Sequence, residues 1–171
     1  TLHGGRVSTG KQIWDIIEQG PAHVSFGLTL PDGHMGFPGC LQIALHWRLN
    51  GKGVLSCTLK AKTDAPTVCN LAHHSYFNLT GRPNMNGHFL QINANEYLPV
   101  DDYLIPTGDI CPVENTGYDF RQPKRLPADL PIDLNFCLSP SRQQLRPVAK
   151  LSTQRGLSLE VSTTEPGLQI Y

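Results

Sequence analysis

Residues 43–61 read IALHWRLNGKGVLSCTLKA, and their pattern sets the fold class. Apolar residues occupy every second position from Ile43 to Leu49, which is the period of a half-buried strand. The dipeptide Asn50-Gly51 follows and favours a hairpin turn, because it supplies the positive φ angles that a tight turn needs. Val54 to Ala61 then returns as the partner strand, so the segment predicts an antiparallel β-hairpin.

The same alternation recurs on both sides of this hairpin, at Val24–Leu30, Phe89–Ala94 and Leu157–Thr163. The chain has 16 glycines and 14 prolines spread along its length, and such punctuation favours many short strands over helices. A helix is indicated only at Lys11–Gln19, where the isoleucine spacing fits a short helix about as well as a strand. We therefore predict an all-β fold, a large antiparallel β-sandwich rather than a closed barrel.

Composition excludes several functional classes. The 171 residues include 14 Lys and Arg against 14 Asp and Glu, so a nucleic-acid partner, which requires a basic face, is not expected. No apolar run is long enough to span a membrane and the N-terminus has no signal-peptide pattern, so we expect no membrane association and a cytoplasmic location. The five cysteines are scattered without a CxxC pair, which indicates free, mostly buried thiols rather than a zinc site or disulfides.

One segment, Asn70–Gly81, has the composition of a polar site. It combines two histidines, a tyrosine, two asparagines and a serine with apolar residues. Imidazoles transfer protons, amides and hydroxyls bind sugar hydroxyls, and aromatic rings pack on the apolar face of a pyranose. From composition alone, a polar strand edge with hydrogen-bonded histidines is an equally good interpretation.

The same segment resembles the N-x-T-N-H-S-Y-F-N-L signature of the aldose 1-epimerase family. Further motifs of this family are matched in the same order along essentially the whole chain. They lie at Leu2–Gly5, Pro31–Gly39, Glu96–Asp101, Ile105–Gly108, Phe120–Arg121, Asp133–Leu138 and Pro166–Tyr171. The resemblance implies a galactose mutarotase-like β-supersandwich and an enzyme that interconverts the α and β anomers of aldohexoses such as galactose and glucose.

The resemblance also implies roles for five residues. His74 is similar to the catalytic acid that protonates the ring oxygen as the sugar opens. His3 is similar to a second catalytic histidine, which hydrogen-bonds the sugar near that oxygen. Asp133 and Gln169 resemble the residues that bind sugar hydroxyls, and Tyr76 is placed to wall the site. The implied chemistry is general acid–base catalysis without a metal or organic cofactor, in a monomer or homodimer.

Two elements of the family pattern have no match in residues 1–171. One is the C-terminal segment resembling G-x-x-L-E-[TS], whose glutamate is the catalytic base. The other is an Asn-Arg pair upstream of the H-G-G element. The chain also begins at Thr1 rather than at Met and ends at Tyr171 inside a strand-like run. We therefore expect an internal fragment truncated at both ends, forming a single partial galactose mutarotase-like domain over residues 1–171.

Smaller departures occur within the matched motifs. His73 stands where the family has Asn, and Leu134 stands where a His often follows the aspartate. Glu165 lies four positions before Gln169, and on a strand this spacing would put both on one face.

Two alternative functions stay open from the sequence. Without the base glutamate, the chain could be a non-catalytic sugar-binding remnant. A hexose-6-phosphate 1-epimerase shares the expected fold but needs cations for the phosphate, and the candidates are Arg6, Lys11 and Arg82.

Overall fold

A computed structural model describes residues 2–127 and 130–171. The chain divides into two units, one ending at His74 and one running from Ser75 to Tyr171. The described residues form three four-stranded antiparallel sheets, which confirms the all-β prediction; the single-domain assignment stays a prediction. Over those residues, no helix has the length and apolar character needed to cross a membrane.

The first unit contains one meandering sheet, in which consecutive strands are neighbours. The side chains of β3 alternate between the two faces, and Ile43 is the most deeply buried of them, with 3% of its surface exposed. Short 3₁₀ turns at Leu2–Gly4, Thr9–Lys11 and His34–Gly36 flank the strands. The strands are β1 (Asp15–Gly20), β2 (His23–Leu30), β3 (Leu41–Leu49) and β4 (Leu55–Thr63).

The hairpin predicted from residues 43–61 is confirmed, since β3 and β4 pair along their whole length. Its turn differs from the predicted one. The Asn50 side chain accepts hydrogen bonds from the backbone N–H groups of Lys52 and Val54, each at 2.9 Å. The positive φ of 77° falls on Gly53 rather than on the Asn-Gly dipeptide. Asparagine therefore builds a longer loop here by bonding the backbone beyond it, instead of entering the left-handed region itself.

The ambiguous stretch Lys11–Gln19 contributes strand β1 and no α-helix. The register between β1 and β2 shifts between Ile16 and Glu18, so Ile17 is the extra residue of a β-bulge. Its side chain lies over Gly27 of β2, where an added Cβ would come within 2.9 Å of it. The bulge explains why two successive isoleucines occur in a strand, a spacing that also fits a helix.

The second unit contains two sheets, with strand orders β11-β10-β5-β8 and β12-β9-β6-β7. Most hydrogen-bonded strand pairs in these sheets are not consecutive along the chain, so the chain crosses between the sheets. The strands are β5 (His88–Ile92), β6 (Glu96–Leu98), β7 (Cys111–Pro112), β8 (Lys124–Arg125), β9 (Leu134–Cys137), β10 (Arg146–Thr153), β11 (Ser158–Thr163) and β12 (Gly167–Ile170).

A single apolar core lies between these two sheets. Ile92 and Val148 come from one sheet and Phe136 from the other, and Val113 and Phe120 join them from the connections. Each of the five is at most 2% exposed. Because residues of both sheets share one core, the sheets pack face to face, which confirms the predicted antiparallel sandwich within this unit.

The cysteines are free, as predicted, but the prediction that most are buried is wrong. Cys57 and Cys69 are exposed and the other three are half-buried. Cys57 lies on β4, the last strand of its sheet over the described residues. Partial burial raises the pKa of the Cys57 and Cys137 thiols, and the nearby carboxylate of Glu96 raises that of Cys137 further.

Candidate active site

The two histidines that the resemblance singles out lie side by side in the first unit. The rings of His3 and His74 meet edge to face, with centroids 5.3 Å apart and an interplanar angle of 73°. His3 has a φ of 54°, in the left-handed region, and Gly4 and Gly5 follow with φ of 85° and 103°. A left-handed non-glycine residue costs about 1–3 kcal/mol, and such strained residues cluster at functional sites. The H-G-G sequence therefore explains how the backbone turns sharply at this ring.

The polar segment around His74 is not a strand, so its interpretation as a strand edge is wrong. Its two adjacent histidines still have different partners, because His73 packs edge to face on Trp47 of β3 with ring centroids 4.8 Å apart. Partial burial lowers the pKa of His73, and the neighbouring His74 lowers it further. His73, which stands where the family has Asn, is thus biased toward its neutral form.

Asp133 and Gln169 are brought together in the second unit. Asp133 directly precedes β9, and Gln169 lies in β12, the antiparallel neighbour of β9. The Gln169 side-chain Nε2 donates a hydrogen bond to Asp133 Oδ1 at 2.7 Å. Leu134 is 5% exposed, so the position where the family often has His is filled here by a core side chain. Because successive side chains of an extended chain point to opposite faces, the Asp133 side chain lies on the face opposite to Leu134.

Asn135 was missed in the sequence analysis. It is the register partner of Gln169 and lies two residues after Asp133, so all three share the outer face of the sheet. Its amide lies directly over the backbone of Gly167, where a Cβ would overlap the amide oxygen and come within 3.1 Å of the amide nitrogen. The two-residue spacings Asp133-x-Asn135 and Gly167-x-Gln169 are the signals that could have found this arrangement.

Tyr76 is 66% exposed, and it has an aromatic neighbour that the sequence analysis did not assign to the site. The rings of Tyr76 and Tyr171 meet at 64° with centroids 5.8 Å apart. Two exposed tyrosine rings at this separation present both apolar faces and hydroxyl groups.

Glu165 does not share a strand face with Gln169, because it precedes β12. Its carboxylate is paired with the Arg142 guanidinium, with an N–O distance of 3.0 Å. Burial raises the pKa of Glu165, but hydrogen bonds from Arg142 and Thr164 outweigh this and hold it below its usual value. A paired carboxylate of lowered pKa is a weak proton acceptor, so Glu165 is a poor substitute for a catalytic base.

The remaining histidines have structural partners. His46 Nδ1 lies 2.8 Å from the hydroxyl of Ser25, and His34 Nε2 lies 2.8 Å from the carbonyl oxygen of Val7. His23 and His88 each begin a strand, and His88 is buried. Within residues 2–127 and 130–171, no group of three or more His, Cys, Asp or Glu residues is arranged to hold a metal ion.

Comparison with known proteins identifies the family. The sequence model of a family described as aldose 1-epimerase matches residues 1–171. The chain is 39% identical to human galactose mutarotase over 181 aligned residues, covering all of this chain and 52% of that protein. It is 36% identical to the aldose 1-epimerase of Escherichia coli, covering 99% of this chain and 53% of that one.

Solved structures give the same result. A crystal structure of an aldose epimerase homologue from C. elegans superposes with a TM-score of 0.90 at 28% identity, over 98% of this chain and 54% of that one. Galactose 1-epimerase from Lactobacillus acidophilus superposes with a TM-score of 0.87 at 31% identity, over 100% of this chain and 53% of that one. The chain therefore belongs to the aldose 1-epimerase family. It spans about half the length of the curated relatives it matches.

Proposed function

We propose that this protein is an aldose 1-epimerase that interconverts the α and β anomers of hexoses such as galactose and glucose. The observation that carries the proposal is the His3–His74 ring pair, built at the two histidine positions of the family motifs. An imidazole can donate or accept a proton near neutral pH, which ring opening and reclosure both require.

His74 is the general acid. It protonates the ring oxygen as the bond between that oxygen and the anomeric carbon breaks, and it takes the proton back when the ring recloses on its other face. A proton-transfer group of this kind contributes roughly 10²–10⁴-fold in rate. His3, whose ring abuts that of His74, hydrogen-bonds the sugar near the same oxygen.

Asp133 and Gln169 bind sugar hydroxyls. The hydrogen bond between them leaves the second carboxylate oxygen of Asp133 and the amide oxygen of Gln169 as acceptors. We add Asn135, whose amide has both a donor and an acceptor on the same sheet face. Tyr76, together with Tyr171, offers rings on which the apolar face of a pyranose can pack.

The resemblance assigns the base to a glutamate in a segment that has no match in residues 1–171. Within these residues the structure argues against Glu165 in that role, because Arg142 holds its carboxylate. The proposal is therefore that His3, His74, Asp133 and Gln169 bind the sugar and supply the acid, and that mutarotation belongs to the protein as a whole.

Polarimetry on freshly dissolved α-D-galactose and α-D-glucose tests the proposal. We expect rotation to relax faster than in buffer, and His74→Ala to remove this gain by roughly 10²–10⁴-fold. His23→Ala is the matched control, because this histidine lies at the start of β2, its side chain is partly exposed, and its Nε2 contacts the Glu18 carboxylate 3.4 Å away. An unchanged rate in His74→Ala would refute the assignment of the acid.

Two further readouts separate the alternative functions. Saturable galactose binding without any acceleration by the folded chain would indicate a sugar-binding remnant. Competitive inhibition by glucose 6-phosphate at concentrations where glucose itself has no effect would indicate the hexose-phosphate branch.

A further inference from the structure

His88 is the first residue of β5, and its side chain is tightly enclosed. Only 4% of its surface is exposed. Both ring nitrogens have partners: the backbone N–H of Leu79 donates to Nε2 at 3.0 Å, and Nδ1 lies 3.0 Å from the carbonyl oxygen of Met85.

These two partners define the protonation state of the ring. A backbone N–H can only donate, so Nε2 must carry no proton. A carbonyl oxygen can only accept, so Nδ1 must carry one. The neutral imidazole protonated on Nδ1 is the one form that satisfies both contacts, and any other form would place two donors or two acceptors against each other.

The group that His88 holds is the end of the segment that carries His74. Leu79 lies five residues beyond His74. It is the second residue of a turn that begins at Asn78 and ends at Gly81. The Asn78 side-chain oxygen accepts from the N–H groups of Thr80 and Gly81 at 3.1 and 3.0 Å. The turn is thus closed by its own hydrogen bonds, and the Leu79–His88 bond connects it to β5.

The strand β5 is a firm support. It lies inside its sheet, paired with β10 on one side and β8 on the other. Leu90 and Ile92, which follow His88 on the same side of β5, belong to the apolar core. A side chain rooted on such a strand fixes its hydrogen-bond partner more closely than a loop residue does.

We propose that His88 is a positioning residue for His74: its Nδ1-protonated ring holds the Leu79 amide and so fixes one end of the segment that presents the acid. The proposal rests on the proposed mutarotase function. His88 itself takes no part in proton transfer to the sugar, because both its nitrogens are engaged and its ring is buried.

Two substitutions separate the two contacts of the ring. His88→Gln places an amide oxygen near the position of Nε2, which keeps an acceptor for Leu79 and gives up the bond to Met85. His88→Asn places an amide nitrogen near the position of Nδ1, which keeps the donor to Met85 and gives up the bond to Leu79. Each variant loses one buried hydrogen bond, and because the smaller asparagine also leaves a void, the free energy of unfolding of both variants is measured beside kcat.

We expect His88→Asn to lower kcat by ~10–100-fold with little change in KM, because displacement of a catalytic group by about 1 Å has such an effect. His88→Gln should keep a kcat at least ~10-fold above that of His88→Asn. Amide hydrogen exchange at Leu79 should be fast in His88→Asn and slow in His88→Gln. Equal kcat in the two folded variants would overturn the proposal, and so would kcat values that follow the free energies of unfolding rather than the exchange rate of the Leu79 amide.

A measurement on the unaltered protein covers the case in which a variant fails to fold. Long-range ¹H–¹⁵N correlation of the His88 ring should show the proton on Nδ1 and a protected Leu79 amide, whereas a proton on Nε2 would overturn the proposal. This readout is independent of turnover. An inactive protein with the expected His88 tautomer would therefore reject the mutarotase function while leaving the anchoring contact in place.

Discussion

Gly167→Ala probes the face of the sheet that we assign to sugar binding. The glycine has an ordinary negative φ, so its backbone tolerates alanine. The new methyl group would overlap the Asn135 amide oxygen and come within 3.1 Å of the amide nitrogen, so the amide must swing away. Leaving a good rotamer costs about 0.5–1.5 kcal/mol, and loss of one hydrogen bond to the sugar costs about the same.

The rotamer cost is the same in the free and the sugar-bound protein, so the lost hydrogen bond alone predicts that galactose affinity falls by ~2–13-fold in Gly167→Ala, measured as Kd by isothermal titration calorimetry. Gly51→Ala is the matched control, because an added Cβ at Gly51 meets nothing within 4 Å. Asn135→Ala should weaken binding to a similar degree, and adding Gly167→Ala to it should cause little further loss. An unchanged Kd in folded Gly167→Ala would refute the assignment of Asn135 to the sugar site.

Three further predictions follow from contacts in the second unit. Phe136 is 1% exposed, so Phe136→Ala should lower the free energy of unfolding by about 3–5 kcal/mol, measured by urea titration. Asp133→Ala and Gln169→Ala should be coupled by about 0.5–3 kcal/mol in sugar affinity, and a double-mutant cycle giving strict additivity would contradict this. Hydrogen bonding from Arg121 lowers the pKa of Asp119 to about 2 from 3.8, so its stabilisation is complete above pH 3.8 and is lost as pH falls toward about 2. Arg121→Gln should flatten that loss in urea titrations, and an unchanged pH dependence would exclude the pair as its source.

The positions of most strands could be predicted from the sequence, because apolar residues at every second position indicate which face of a strand is buried. The β3–β4 hairpin is the clearest case. The failures share one cause, which is that the local backbone departs from regular hairpin or strand geometry. Asn50 moved the positive φ to Gly53, and the bulge at Ile17 gave a strand the spacing of a helix.

Only part of the candidate site could be predicted from the sequence. His3 and His74 were identified from motif resemblance, and the structure places their rings together. Asn135 and His88 were not, because their roles depend on what lies opposite them: a glycine on the next strand and an amide nine residues away. Such contacts depend on register and turn geometry, which a spacing such as Asp133-x-Asn135 does not fix until the neighbouring strand is known.

The central claim is that His3 and His74 act on the sugar as one unit. The most direct test is the mutarotation rate of His3→Ala, His74→Ala and the double variant, measured by polarimetry on α-D-galactose. Groups that act together are strongly non-additive, so we predict that the double variant is about as slow as His74→Ala alone. A double variant whose rate loss equals the product of the two single losses would contradict the account.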